Sequence, residues 1–157
     1  MVRTVLRGLE MTIYFELSSH ELNDISYFSM GNFTFEKEGV CFTSKNRKPD
    51  QSCMLLASLP DLFFRLMKVK KGEIRKFVFS PVDCSYQLLF EKQKNKLLIS
   101  EFSREKLICG VDEFAEALHK EVRDLLIRYD IEIEYMDIAR QDFVECWSEF
   151  KTLFPDQ

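Results

Sequence analysis

Seven carboxylates fall within twenty residues near the C-terminal end of this chain: Asp130, Glu132, Glu134, Asp137, Asp142, Glu145 and Glu149, with Arg140 the one base among them. Carboxylates at that density can gather around a hard cation, or they can steer a basic protein onto the surface through concentrated like charge. The cation reading needs oxygens converging on one point, and the calcium-loop spacing with its central glycine is missing, so no metal is expected. The docking reading needs only that the acids face outward together. Asp142, Glu145 and Glu149 recur at steps of three and four, which places them on one face of a helix. The competing explanation is an ordinary solvated face. The candidate partner-binding residues are therefore Glu132, Glu134, Asp137, Asp142, Glu145 and Glu149. Trp147 lies among them in sequence, but its helical phase turns it toward the core.

Other residues offer weaker chemistry. A nucleophilic serine requires an elbow such as G-x-S-x-G, and a phosphate cradle requires closely spaced glycines. The five glycines, Gly8, Gly31, Gly39, Gly72 and Gly110, form neither. The two histidines, His20 and His119, are far apart in sequence; His119 beside Lys120 reads as a boundary or surface imidazole. An enzyme alternative remains open, a small hydrolase or transferase combining dispersed carboxylates with His20 or His119. A Cys84 or Cys109 nucleophile paired with His119 is also geometrically possible. Cysteines in apolar surroundings such as Leu107-Ile108-Cys109 are more often small core residues. No catalytic residue and no cofactor is assigned.

A basic cluster supplies a third reading. Arg65, Lys68, Lys70, Lys71, Arg75 and Lys76, with Lys92, Lys94 and Lys96 around a turn, could meet a phosphate backbone if they converged. Lysines also collect at helix ends and hairpin turns for dipole and solubility reasons, so nucleic-acid binding is disfavoured.

The elements that would carry these side chains follow from composition and periodicity. A chain of 157 residues, 46% apolar and containing fifteen phenylalanines, suits one domain, since this length can bury roughly 68–70% of its unfolded surface. The net charge of −4 and pI near 5.3 favour a soluble cytoplasmic protein. Outside residues 130–149 there are nineteen acids against twenty-one bases, so the charge is polarised along the chain. Five widely spaced cysteines, an odd number without a C-x-x-C pair, read as reduced thiols. Residues 1–10 carry two arginines and no apolar core, so they read as a disordered lead-in or an upstream start rather than an export signal. No apolar stretch approaches the ~20 residues of a membrane helix, and no membrane partner is expected.

Alternation predicts strands near 11–17, 32–37, 40–43, 74–79, 85–91 and 96–102, with hairpin turns at Glu38-Gly39 and around Lys94-Asn95. A polar connection over 18–24 allows one helical turn capped by Ser19. Residues 53–57 are ambiguous between strand and helix. A helix near 59–70 is predicted from a Ser58 cap, Pro60 in the first turn and the stripe Leu59, Leu62, Phe63, Leu66 and Met67. Another near 112–130 should start from an Asp112 cap and bury Phe114, Leu118, Val122 and Leu125. Residues 131–135 alternate like a strand yet could extend that helix. A last helix near 137–153 buries Phe143, Trp147, Phe150 and Phe154. Most strand connections are too short for parallel crossovers, which disfavours a wound parallel sheet. The expectation is a single α+β domain over 11–157, an antiparallel sheet with helices packed on it.

The pattern F-x-F-E-x-x-G over Phe33–Gly39, then Met54-Leu-Leu-Ala57, Val82-Asp-Cys-Ser-Tyr-Gln-Leu-Leu-Phe90, Leu97-Leu-Ile-Ser100 and Glu113-Phe-Ala-Glu-Ala-Leu118 resembles the layout of small acidic immunity proteins encoded beside bacterial polymorphic toxins. The resemblance spans roughly Asn32 to Leu126. It implies a non-catalytic protein-binding module that neutralises a basic toxin domain, often a nuclease, here through the acidic C-terminal surface. No inhibitory residue carries over, because these families share no common motif that can be placed on this chain.

Overall fold

A computed structural model describes residues 9–18, 25–132 and 140–155. It is an α+β domain, as the alternating and helical periods predict. The strands divide between two antiparallel four-stranded sheets rather than forming one. In the first, β1 (Thr12–Leu17) pairs with β2 (Met30–Lys37), whose other edge is shared by β3 (Val40–Thr43) and the short β4 (Cys53–Met54). The second is a meander of β5 (Lys76–Phe79), β6 (Leu88–Gln93), β7 (Lys96–Ser100) and β8 (Leu107–Gly110). Three helices complete the fold: α1 (Leu55–Lys70), α2 (Val111–Arg128) and α3 (Arg140–Leu153). No described helix is long and apolar enough to cross a membrane.

The β2–β3 hairpin forms where the sequence calls for it. Glu38 (φ 50°) and Gly39 (φ 83°) both adopt positive φ, the geometry that matches the twist of a two-residue hairpin. Phe33 and Phe35, two apart on β2, point to one face and are buried. Across from them β6 buries Leu88 and Phe90. An aromatic seam joins the sheets: Phe33 meets Phe79 at 5.6 Å and Tyr86 at 5.4 Å between ring centroids, and Phe35 meets Phe90 at 6.4 Å. Phe114 of α2 closes the seam at 5.3 Å from Phe35 and 5.4 Å from Phe90. Each such fully buried ring contributes about 1.5–3 kcal/mol of transfer free energy, with edge-to-face contacts adding to it.

Several boundaries differ from the expectation. Ser58 does not cap α1. The helix starts at Leu55, one turn earlier, and the Ser58 hydroxyl donates to the Met54 carbonyl at 2.8 Å. Pro60 therefore lies inside the helix, and the carbonyl of Leu56 loses its intrahelical partner. The ambiguous run resolves as two residues of strand, then helix, because Cys53 and Met54 pair with Gly31 and Met30. Asp112 is not the cap of α2 either. Gly110 occupies the N-cap, and its N–H donates to Glu113 Oε1 at 3.0 Å. Glu113 also holds Lys37 of β2 at 2.9 Å, while Asp112 pairs with Lys70 of α1 at 2.7 Å. Both carboxylates are used for tertiary contacts at the positive end of the helix dipole. The strand expected over 85–91 starts at Leu88, since Gln51 Oε1 accepts from the N–H and hydroxyl of Ser85 at 3.1 Å each and draws that segment off the ladder. The Ser19 turn and most of 131–135 lie outside the described residues; Ile131 and Glu132 belong to neither helix nor strand.

Candidate functional site

Helix α3 is held by its apolar stripe. Phe143, Trp147 and Phe150, at steps of four and three, surround Phe63 of α1 with ring centroids at 5.8, 5.3 and 4.8 Å. Phe154, just past the helix, extends the stripe at 5.0 Å from Phe150. All four are buried. Trp147 thus belongs to the core, as its phase requires.

That packing turns the acids outward. Asp142, Glu145 and Glu149 are exposed along one face of α3, and Glu132 is exposed just beyond α2. Glu134 and Asp137 lie outside the described residues. Among the described residues no cation forms an ion pair with Asp142, Glu145 or Glu149. Gln141 donates to Glu145 Oε1 at 2.8 Å and orients it. The combined field registers on two neighbours. Burial raises the pKa of the Cys146 thiol, and Glu149, Asp142, Glu145 and Asp61 of α1 raise it further. The Tyr27 phenol, pushed up to about 12 by burial, then by Asp142 and Cys146, feels the same charge.

Exposed apolar side chains occur on other sides of α3 and on its neighbours. Val144 is 39% exposed and Phe28 44% exposed. The Phe28 ring stands edge-on to Tyr27 at 5.5 Å, and Tyr27 in turn meets Phe143 at 6.4 Å. Phe64 of α1, 45% exposed, lies one turn beyond Pro60, whose carbonyl accepts from the Cys146 thiol at 3.6 Å. The acids can do no bond chemistry alone. They can bury against a basic, partly apolar surface.

The remaining sequence candidates are placed elsewhere. His119 is buried, contrary to the surface reading, with Nδ1 3.0 Å from the Phe154 carbonyl and its ring edge-on to Trp147 at 5.1 Å. It joins α2 to the end of α3. His20 lies outside the described residues, and Cys109 is wholly buried. Among the described residues no three His, Cys, Asp or Glu side chains converge as metal ligands would. The basic cluster does converge in part: the Lys92 N–H donates to the Arg75 carbonyl at 2.7 Å, bringing the end of α1 beside the β6–β7 turn. Acids interleave it, with Glu91 opposite Lys76 across the strands and Asp112 on Lys70. Such pairing weakens the field that a phosphate backbone needs.

One site escaped the sequence reading. Loops 44–52, 80–87 and 101–106 enclose an open cleft of about 360 Å³ lined by Arg47, Lys48, Gln51, Tyr86, Glu101 and Phe102 among others. Arg47 donates to Glu101 Oε1 at 2.6 Å and lies 4.7 Å over the Tyr86 ring, whose hydroxyl also bonds Glu101. Burial and Glu101 push the Tyr86 phenol well above its ordinary pKa. Asn46, Asp83 and Phe102 take positive φ in these loops (61°, 68° and 61°), a conformation costing such side chains of order 1 kcal/mol or more. No local periodicity announces three loops meeting, so the sequence carried no signal for it.

No protein-family model, curated protein or solved structure matches the chain.

Proposed function

We propose that this protein is a non-catalytic binding module of the cytoplasm, an immunity-type protein that occludes a basic toxin domain with the acidic face of α3. One observation carries the reading: Asp142, Glu145 and Glu149 stand exposed on one helix face, with no ion-pair partner among the described residues, while the opposite face is locked by Phe63. Because the scaffold is already ordered, little conformational entropy is lost when the acids meet a partner. Concentrated like charge speeds the encounter and selects for cationic surfaces. Phe28, exposed beside Tyr27, supplies apolar area that long-range attraction alone lacks.

The test uses the products of the genes flanking that of this chain as bait, with wild-type protein and the triple variant Asp142→Lys, Glu145→Lys, Glu149→Lys. Wild type is expected to bind and the variant to lose at least about tenfold in affinity, equivalent to about 1.4 kcal/mol. Equal capture of both proteins rejects the α3 face. Capture of neither rejects the toxin partner.

A further inference from the structure

Two of the five cysteines lie on segments that run side by side where the sheets join. Cys53 in β4 is fully buried and Cys84, in the β5–β6 connection, is half-buried. Their segments are tied on both sides. Gln51 Oε1 accepts from the Ser85 N–H and hydroxyl at 3.1 Å, and the Met54 N–H donates to the Val82 carbonyl at 2.9 Å. The Val82 N–H also donates to Ser58 Oγ at 2.8 Å. These ties set Cys53 and Cys84 on adjoining segments, close enough for each thiol to influence the other, while Cys84 Sγ donates to the Pro81 carbonyl at 3.9 Å. Asp83, immediately before Cys84, is held at φ 68° and fixes the turn that presents the thiol.

We propose that Cys53 and Cys84 are a reversible dithiol–disulfide pair in which Cys84 reacts with a hydroperoxide and Cys53 resolves it. The Cys84 thiolate attacks one peroxide oxygen, the O–O bond breaks, and the departing oxygen leaves as hydroxide or alkoxide and takes up a proton. Cys84 is then a sulfenic acid. Cys53 attacks that sulfur as its proton is lost, the S–S bond forms and the S–O bond breaks, releasing water. The two thiols give up two electrons and two hydrogens, and the peroxide is reduced by the same amount. The new bond would join the β4–α1 corner of the first sheet to the β5–β6 connection of the second, at the rim of the cleft that Gln51 and Tyr86 line.

Electrostatics makes the choice of thiol selective. Cys84 is brought down to about 7 by the neighbouring Cys53, against the effect of burial, and helped by the Tyr86 N–H, while Asp83 and Asp50 oppose this. Cys84 and burial in turn push the Cys53 thiol up, which leaves Cys84 the thiolate of the two. Burial raises Cys41, with Glu36 adding to it, although Cys41 is exposed. Burial lifts Cys109 to about 12, with Glu113 adding. The thiolate is the nucleophile, so the half-buried Cys84 should react ahead of the exposed Cys41.

The experiment treats the full reduced chain at neutral pH with one equivalent of hydrogen peroxide, blocks free thiols with N-ethylmaleimide and maps the tryptic peptides. A Cys53–Cys84 cross-linked peptide, two hydrogens lighter and abolished by dithiothreitol, is expected. Brief labelling of untreated protein with limiting iodoacetamide should modify Cys84 several-fold faster than Cys41; this measurement needs no variant. In Cys53→Ser, which keeps a polar donor beside Cys84 but cannot form the disulfide, dimedone should trap a sulfenic acid at Cys84. Faster labelling of Cys41, oxidation of Cys84 without the Cys53 peptide, or disulfides only between molecules would each overturn the proposal. If Cys53→Ser fails to fold, the wild-type map and the labelling order decide.

Discussion

Glu121 faces the core from α2 and is only 6% exposed, a costly place for a carboxylate unless every oxygen is matched. Its Oε2 accepts the Phe15 N–H at 2.6 Å and Arg128 at 3.0 Å, and Arg128 donates to the Phe15 carbonyl at 2.6 Å. The pair supplies both hydrogen-bonding groups that β1 presents along its unpaired edge at that residue. Tyr129 does the same for the Leu17 N–H at 3.2 Å. An edge strand sealed by side chains cannot recruit another strand. Glu121→Ala should cost about 2–3 kcal/mol, because it strands a backbone donor and a guanidinium. Glu121→Gln, which keeps an acceptor, should cost about 1 kcal/mol. Urea unfolding midpoints for the two variants check this, and equal losses would show that packing, not polar matching, governs the site. None of it was legible in the sequence. An acid on the buried face of a helix reads as a break in the pattern, and its partner lies more than a hundred residues away in β1.

At the scale of elements, turns and strand pairs carry different demands on glycine. Gly39 is needed for its dihedral alone: a Cβ there would meet nothing within 4 Å. Gly31 is needed for space. A Cβ on it would lie 2.5 Å from the Glu16 carbonyl oxygen and 3.2 Å from Leu17 Cα, where β1 and β2 pair and backbone cannot move aside cheaply. Gly39→Ala should therefore cost about 1 kcal/mol from left-handed strain. Gly31→Ala should cost more, about 2–3 kcal/mol, by prying β1 from β2. Thermal unfolding of both variants tests the order, and a larger loss at Gly39 would refute the close-approach argument. The Gly39 turn was readable beforehand because turn chemistry is local. The crowding at Gly31 was not, since the Glu16 carbonyl arrives from another strand.

Across the whole molecule, Phe90 is where the layers meet. It stacks on Phe77 at 4.7 Å within its own sheet, reaches Phe35 of the other at 6.4 Å and touches Phe114 of α2 at 5.4 Å. Phe90→Ala should cost about 3–5 kcal/mol as a cavity opens between layers that cannot collapse onto it. Because one ring contacts both sheets, wild type should unfold in a single transition seen alike by near- and far-ultraviolet circular dichroism. Two separated transitions in the wild type would mean that the sheets are independent units. The charge distribution is likewise a property of the whole: the acids on α3 stay outward because Phe63 receives the aromatic side of that helix.

Residues near in sequence settled a great deal by themselves. Alternation marked the strands, the Glu38-Gly39 turn set a hairpin, the stripe from Leu59 to Met67 named the buried side of α1, and the steps from Asp142 to Glu149 put those acids on one face. Each depends on backbone geometry within a few residues, where period and dihedral preference act directly. Periodicity identifies an apolar side without saying what will cover it. Only the tertiary structure could divide the strands into two sheets, bury His119 against Trp147, bring Arg47, Tyr86 and Glu101 together and set Cys53 against Cys84. Those outcomes were decided by long-range pairing, in which the bonds that Ser85 and Met54 make to distant segments outweigh the local preferences of either.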